Sequence, residues 1–184
     1  MVVCTGNICR SPYIERRLRQ ELAGTGVEVS SAGTAALVGH EMDPGTRSRL
    51  VARGADIEGF RARQLTVAML EDADVVVTAA RSHRAEVTRL YPACLRRTTT
   101  LRDLADLLDG VPAHDLTGAA PEQSATECVL AAALDRRGLV AARQEGVDVH
   151  DPVGGGPADF YLMAAQVEAA LPPVVAALRA ARGG

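Results

Sequence analysis

The sequence predicts an α/β fold, a doubly wound four-stranded parallel sheet flanked by helices. Two patterns carry that expectation. Short β-branched runs alternate with stretches whose apolar residues recur at helical spacing. The clearest run, "ADVVVTAA" at 73–80, is apolar almost throughout, as suits a strand covered on both faces. A length of 184 residues with 47% apolar content fits one domain over 1–184.

"MVVC" reads as the first strand, followed by a glycine-containing loop and then by "SPYIERRLRQEL", where Ile14, Leu18 and Leu22 share a helical face. Ser11 is expected to cap this helix and Pro12 to take its first helical position, where a missing N–H costs nothing. "GVEVSSAGT" predicts the second strand. "DPGTRSRLVARG" predicts a helix that starts after Asp43 and stops at Gly54. The third strand at 73–80 leads into a helix over "SHRAEVTRLYP", ended by Pro92, and "ACLRRTTTL" supplies the fourth strand.

Beyond "LRDLADLLDG" the chain turns irregular at "VPAHDLTGAAPEQ" and helical again over "SATECVLAAALDRRGLVAAR". The last stretch, from "PADF" onward, predicts a helix interrupted at Pro172 and Pro173, packed on the sheet and fraying at Gly183 and Gly184.

A formal charge of −3 gives no electrostatic case for nucleic acid. No apolar run approaches the ~20 residues of a bilayer span, and nothing at the N-terminus has the layout of a signal peptide. The expected compartment is the cytoplasm, without membrane insertion. Cysteines at 4, 9, 94 and 128 show neither zinc spacing nor a disulfide framework, so they are expected as free thiols and no metal is expected.

The densest group of special residues is "CTGNICRS" at 4–11. A bare Cys-x5-Arg is weak evidence, but glycine two residues after the cysteine, serine after the arginine, and a strand before and helix after make it specific. A loop of this length curls its backbone N–H groups around one phosphate, and the following helix adds the positive end of its dipole. Cys4 is the candidate nucleophile, its thiolate favoured by that field. Gly6 permits the turn. Arg10 offers a planar fork for two phosphate oxygens. Ser11 is placed to donate to the sulfur, and Asn7 to brace the loop. Thr5, Gly6, Asn7, Ile8, Cys9 and Ser11 form the expected phosphate cradle.

Attack on a phosphate ester also needs a proton donor for the leaving oxygen. Of two Asp-Pro pairs, Asp151-Pro152 lies in the glycine-rich "VHDPVGGG", whereas Asp43-Pro44 sits where a helix needs a cap. Asp151 is therefore the candidate general acid. His150 is expected to be solvated, and His40, His83 and His114 to be surface or capping residues.

These residues resemble the low-molecular-weight protein tyrosine phosphatase family. The resemblance rests on "CTGNICRSP", "SAGT" at 31–34, "MDP" at 42–44, "RARQLT" at 61–66, "ADVVVT" at 73–78 and "DP" at 151–152. It covers most of 1–108 and 148–181. It implies a four-stranded parallel sheet, no cofactor, and a phosphocysteine formed on Cys4. It also implies phosphate and transition-state binding by Arg10, assistance from Ser11, and Asp151 as acid and then base. It further implies that Cys9 can form a reversible disulfide with Cys4. Residues 109–147 fall outside the family pattern, as a divergent helical insertion. Val153 and Leu37 stand where many members carry aromatic residues.

The resemblance also includes protein arginine phosphatases, which carry Thr where this chain has Ile8. Ile8 favours phosphotyrosine or another aryl phosphate, while "DPVGGG" leans toward the arginine-specific branch. A pathway-specific phosphatase for a small phosphate ester is a further alternative. An arsenate reductase would need two further cysteines close together, and Cys94 and Cys128 are far apart in sequence. The expected partner is thus a phosphorylated protein or a small phosphate ester, with oligomeric state open.

Overall fold

A computed structural model describes residues 1–116, 124–143 and 145–181. Strands β1 (Val2–Cys4), β2 (Ser31–Gly33), β3 (Val76–Thr78) and β4 (Thr98–Thr100) form a sheet in the order β2-β1-β3-β4. All three pairings are parallel, as expected. Alternation along the strands sends Val2, Cys4 and Val77 into one core cluster and Val3, Ala32 and Val76 into the other, so both faces are covered. Helices α1 (Arg10–Glu21), α2 (Pro44–Val51), α5 (Leu101–Leu108), α6 (Ala125–Asp135) and α7 (Pro157–Ala180) serve the larger core. Helices α3 (Val67–Glu71) and α4 (Arg81–Leu90) serve the smaller.

The chain leaves β1 toward β2 on one side and β3 on the other, so the sheet's topological switch point lies beyond the carboxyl end of β1. Cys4 is the last residue of that strand.

Several expectations need correction. Helix α1 starts at Arg10, and Ser11 does not cap it: the flanking residue is Cys9, without a side-chain cap, because the serine hydroxyl is engaged by the loop. The second strand is shorter than its motif. Helix α3 was not foreseen; Thr66 caps it by accepting from the Met69 amide at 3.3 Å. A 3-10 turn over Pro92–Arg97 takes the first part of the fourth-strand motif. Helix α6 ends at Asp135, short of the expected span, where the chain turns through Gly138 at φ +91°.

Helix α7 runs unbroken through Pro172 and Pro173. Proline's own φ is helical, so adjacent prolines leave only the carbonyls of Glu168 and Ala169 without an intrahelical donor. Buried Leu171, Val174 and Val175 hold the helix on both sides of them. By length and composition α7 could span a bilayer, contrary to the sequence reading, but Phe160, Met163, Val167, Leu171 and Leu178 are buried, as in the core helix of a folded domain. It packs on α1, α2, α5 and α6 and shares the larger core with Val2 and Val77 of the sheet. Gly183 and Gly184 lie outside the described residues.

Asp43 caps α2 as expected, its Oδ1 accepting from the Gly45 amide at 2.8 Å. A Cβ on Gly45 would lie 2.6 Å from the Phe160 ring, so α2 meets α7 through a glycine. Gly45→Ala is expected to force the two helices apart and cost about 1–3 kcal/mol, read as a lower urea midpoint with an unchanged slope.

Candidate active site

The loop after Cys4 is shaped from outside by the segment that follows β2. Thr34, Ala35, Leu37 and Asp43 donate their amides to the carbonyls of Cys4, Thr5, Gly6 and Ile8 at 2.9–3.1 Å. With its carbonyls drawn outward, the loop turns its amides inward. Among the described residues, none of the amides of residues 6–10 donates to a protein acceptor. Gly33 makes this approach possible, since a Cβ there would sit 2.3 Å from the Thr5 carbonyl oxygen. Gln64 fastens the strap, accepting from the Ala36 amide and donating to the Thr34 carbonyl.

Asn7 braces the loop from within, fully buried and with φ +53°, the left-handed region that Asn tolerates better than other side-chain-bearing residues. Its Nδ2 donates to Ser11 Oγ at 2.9 Å and to Ser31 Oγ at 2.8 Å, and its Oδ1 accepts from the Arg63 amide at 2.8 Å. These contacts fix the orientation of the amide. Ser11 Oγ accepts from Asn7 and lies 2.9 Å from Cys4 Sγ, so its own proton is free to be given to the sulfur when that is a thiolate. Ser31 likewise passes its proton to the buried carboxylate of Glu15. The arrangement aims one hydroxyl donor at the sulfur and suits a thiolate.

Arg10 is buried, and its Nη2 contacts Asp151 Oδ2 at 2.6 Å. Its Nε is buried without a partner among the described residues. Asp151, half exposed, also accepts from the Val153 amide. Its loop is tied down just before the aspartate. The Val149 amide donates to the Ala79 carbonyl at the end of β3, and the His150 amide to Gln166 Oε1 on α7. His150 is not merely solvated: its Nε2 meets Asp159 Oδ1 at 2.9 Å, while Asp159 Oδ2 accepts from the Gly156 amide. Together these ties hold the carboxylate over Arg10, 141 positions away in sequence.

His83 is a second correction. It is buried rather than surface or capping, and its Nε2 lies 2.8 Å from Thr5 Oγ1. Its Nδ1 is buried without a partner among the described residues. A proton there would be stranded, so the neutral tautomer carries it on Nε2 and donates to Thr5. Burial, with the Arg10 guanidinium second, holds the imidazole below the ordinary histidine range. Its place just beyond β3, at the carboxyl edge where α/β ligands bind, was the one signal available in the sequence. Ser31 and Arg63 lie in the "SAGT" and "RARQLT" motifs, but nothing in the sequence tied them to Asn7 or Glu15, and Asp159 carried no signal.

Cys9 is also buried, and desolvation, with the Asp43 carboxylate second, pushes its thiol up to about 12. Ile8 is half-buried beside the loop. Leu37 and Val153 are exposed near the loop and the acid, so the rim is aliphatic where an aromatic wall would otherwise stand.

The sequence profile of the low molecular weight phosphotyrosine protein phosphatase family matches residues 1–124. The Escherichia coli K12 low molecular weight protein-tyrosine-phosphatase Etp is 41% identical over 98 residues, which is 53% of this chain and 65% of Etp. The chain thus spans slightly less than two thirds of that relative's length. The tyrosine phosphatase Wzb of Escherichia coli K30, solved with sulphate, aligns with a TM-score of 0.67 at 23% identity over 95% of this chain and 94% of its own. The YwlE arginine phosphatase of Geobacillus stearothermophilus aligns with a TM-score of 0.69 at 23% identity over 95% of this chain and 88% of its own. Those two structures share the fold.

Because folded His83 resists protonation, the unfolded chain takes up this proton at higher pH than the native state. The resulting stability is complete above the ordinary histidine value of about 6.5 and is lost as pH falls toward the lowered one. Urea midpoints measured between pH 7.5 and 5.5 are expected to drop less in His83→Gln than in the wild type.

Proposed function

The chain belongs to the low molecular weight phosphotyrosine protein phosphatase family, and on that footing we propose that it hydrolyses phosphotyrosine, or a similar aryl phosphate, on a phosphorylated protein through a phosphocysteine intermediate. The observation that carries the reading is the convergence of Cys4 Sγ on the Ser11 hydroxyl, inside a ring of inward amides, with Arg10 and Asp151 paired at its mouth. A reducing cytoplasm suits four cysteines that form no disulfide.

Phosphate entering the ring accepts hydrogen bonds from the amides of residues 6–10 and takes the Arg10 fork, which turns from Asp151 to two equatorial oxygens. Cys4 thiolate attacks phosphorus in line. The sulfur–phosphorus bond forms as the bond to the aryl oxygen breaks, and protonated Asp151 delivers its proton to that oxygen. Asp151, now a carboxylate, takes a proton from water as the water attacks phosphorus. The sulfur–phosphorus bond then breaks, releasing inorganic phosphate and restoring the thiolate, while the Ser11 hydroxyl stabilises the sulfur as it leaves.

Phosphoarginine is the second reading. The glycines of "DPVGGG" and the aliphatic rim at Leu37 and Val153 favour it; Ile8 stands against it.

Phosphotyrosine and phosphoarginine peptides assayed side by side decide between them. The expected result is dominant tyrosine turnover, abolished in Cys4→Ser and slowed about 10²–10⁴-fold in Asp151→Asn, the range for loss of a general acid. Dominant arginine turnover would select the second reading, and no turnover of either would reject both in favour of a small phosphate ester.

The Cys4–Cys9 disulfide belongs to the same proposal. Peroxide converts the Cys4 thiolate to a sulfenic acid, which Cys9 displaces with loss of water. With the Cys9 thiol at about 12, that step is expected to speed up as pH rises. Thiol-reversible inactivation should disappear in Cys9→Ser, and its persistence there would exclude the pairing.

A further inference from the structure

Residues 137–143, beyond the stretch the family profile matches, do not lie idle. They are tied to the start of α4 and to α5, and close one side of a groove of about 280 Å³. Arginines dominate its walls: Arg81 and Arg84 from α4, and Arg137 and Arg143 from this segment. Two carboxylates on α5, Asp103 and Asp106, share it.

The charges do not cancel. Arg143 is taken by Asp106 in a two-point contact through Nε at 2.8 Å and Nη2 at 2.5 Å. Arg84 gives its Nε to the Thr98 carbonyl, and Arg81 gives Nη2 to the Arg143 carbonyl. Among the described residues, none of Arg81, Arg84 and Arg137 has a carboxylate within ion-pair distance. Against these three cations stand Asp103 and, behind Arg81, Asp148, whose Oδ1 accepts from the Arg81 amide at 2.8 Å. Burial and the repelling Arg84 charge both disfavour the Arg137 cation, so an anion placed between the two would relieve a repulsion already present. This cationic concavity occurs in a chain of net charge −3.

Chain connectivity links the groove to the phosphate loop. Arg81 opens α4, two residues before the histidine that contacts Thr5, and the Asp148 it holds precedes Asp151 by three. From β1 to β4 is two strand spacings, about 10 Å, and an extended peptide crosses that in about three residues.

We infer that this arginine groove is a second anion subsite, which takes an acidic or phosphorylated side chain about three residues from the phosphotyrosine held over Cys4. The inference rests on the phosphatase reading and deepens it: the preferred substrate is an acidic or multiply phosphorylated segment of a protein. Planar guanidinium forks suit carboxylate and phosphate oxygens alike.

The test compares kcat/KM for three phosphotyrosine peptides, with alanine, glutamate or a second phosphotyrosine at the third and fourth positions on either side. Wild-type enzyme and Arg137→Glu are assayed at low and high salt. Each ratio of acidic to alanine peptide is internal to one enzyme, so a general loss of activity cancels. The expected wild-type ratio is about tenfold, larger for phosphate than for glutamate, shrinking with salt and falling toward one in Arg137→Glu. A wild-type ratio near one, or the same ratio in Arg137→Glu, would overturn the subsite. Turnover of p-nitrophenyl phosphate by the wild type separates the two levels: its presence with a flat ratio rejects the groove alone, and its absence rejects the phosphatase reading, with which the groove falls.

Discussion

The structure turns on where the carbonyls of Cys4, Thr5, Gly6 and Ile8 go. A backbone carbonyl pointing into a phosphate site would repel the ligand, and one buried without a donor would cost roughly 1–3 kcal/mol. The amides of Thr34, Ala35, Leu37 and Asp43 solve both problems by drawing those carbonyls outward. What remains inside the curl is a concave row of N–H groups. Gly33 lets the strap come close enough, Gln64 fastens it, and Asn7 sustains the left-handed turn that closes the ring. The sheet serves this arrangement, since parallel β1 and β2 end side by side and deliver loop and strap to the same edge.

Hydrogen-bond direction then decides the chemistry. The Asn7 amide has two protons and gives one to each of two serines. Each serine keeps one proton of its own: Ser31 gives it to Glu15, and Ser11 has it available for the sulfur of Cys4. A buried polar network of this kind costs least when every member is satisfied, so an asparagine one hydrogen bond removed from the sulfur constrains the surroundings of Cys4. The Arg10–Asp151 pair adds a second constraint. On the proposed mechanism the acid is held by the group that phosphate would claim, so substrate binding would release it.

Much of this was legible in the sequence, for local reasons. The phosphate loop lies within eight consecutive residues, the parallel sheet follows from alternating β-branched and helical periods, and Asp43 announces a cap. What escaped notice depends on distant pairing. His83 looked like a surface residue because Thr5, its partner, lies 78 positions away. His150 looked solvated because Asp159 reaches it from the first turn of α7. Ser11 looked like a helix cap because cap and sulfur donor use the same residue type, and only the orientation of Asn7 separates them. The prolines of α7 looked like a break because a chemical signal for interruption carries no information about the burial on either side.

The central claim, that the ring of amides holds phosphate while Cys4 takes it, is tested most directly by acid-quenching the enzyme during turnover of an aryl phosphate and locating the bound phosphoryl group by peptide mass spectrometry and ³¹P NMR. A thiophosphate on Cys4, formed and discharged as fast as turnover requires, is the predicted result. A phosphoryl group on any other residue, or turnover with no covalent enzyme species, would contradict it.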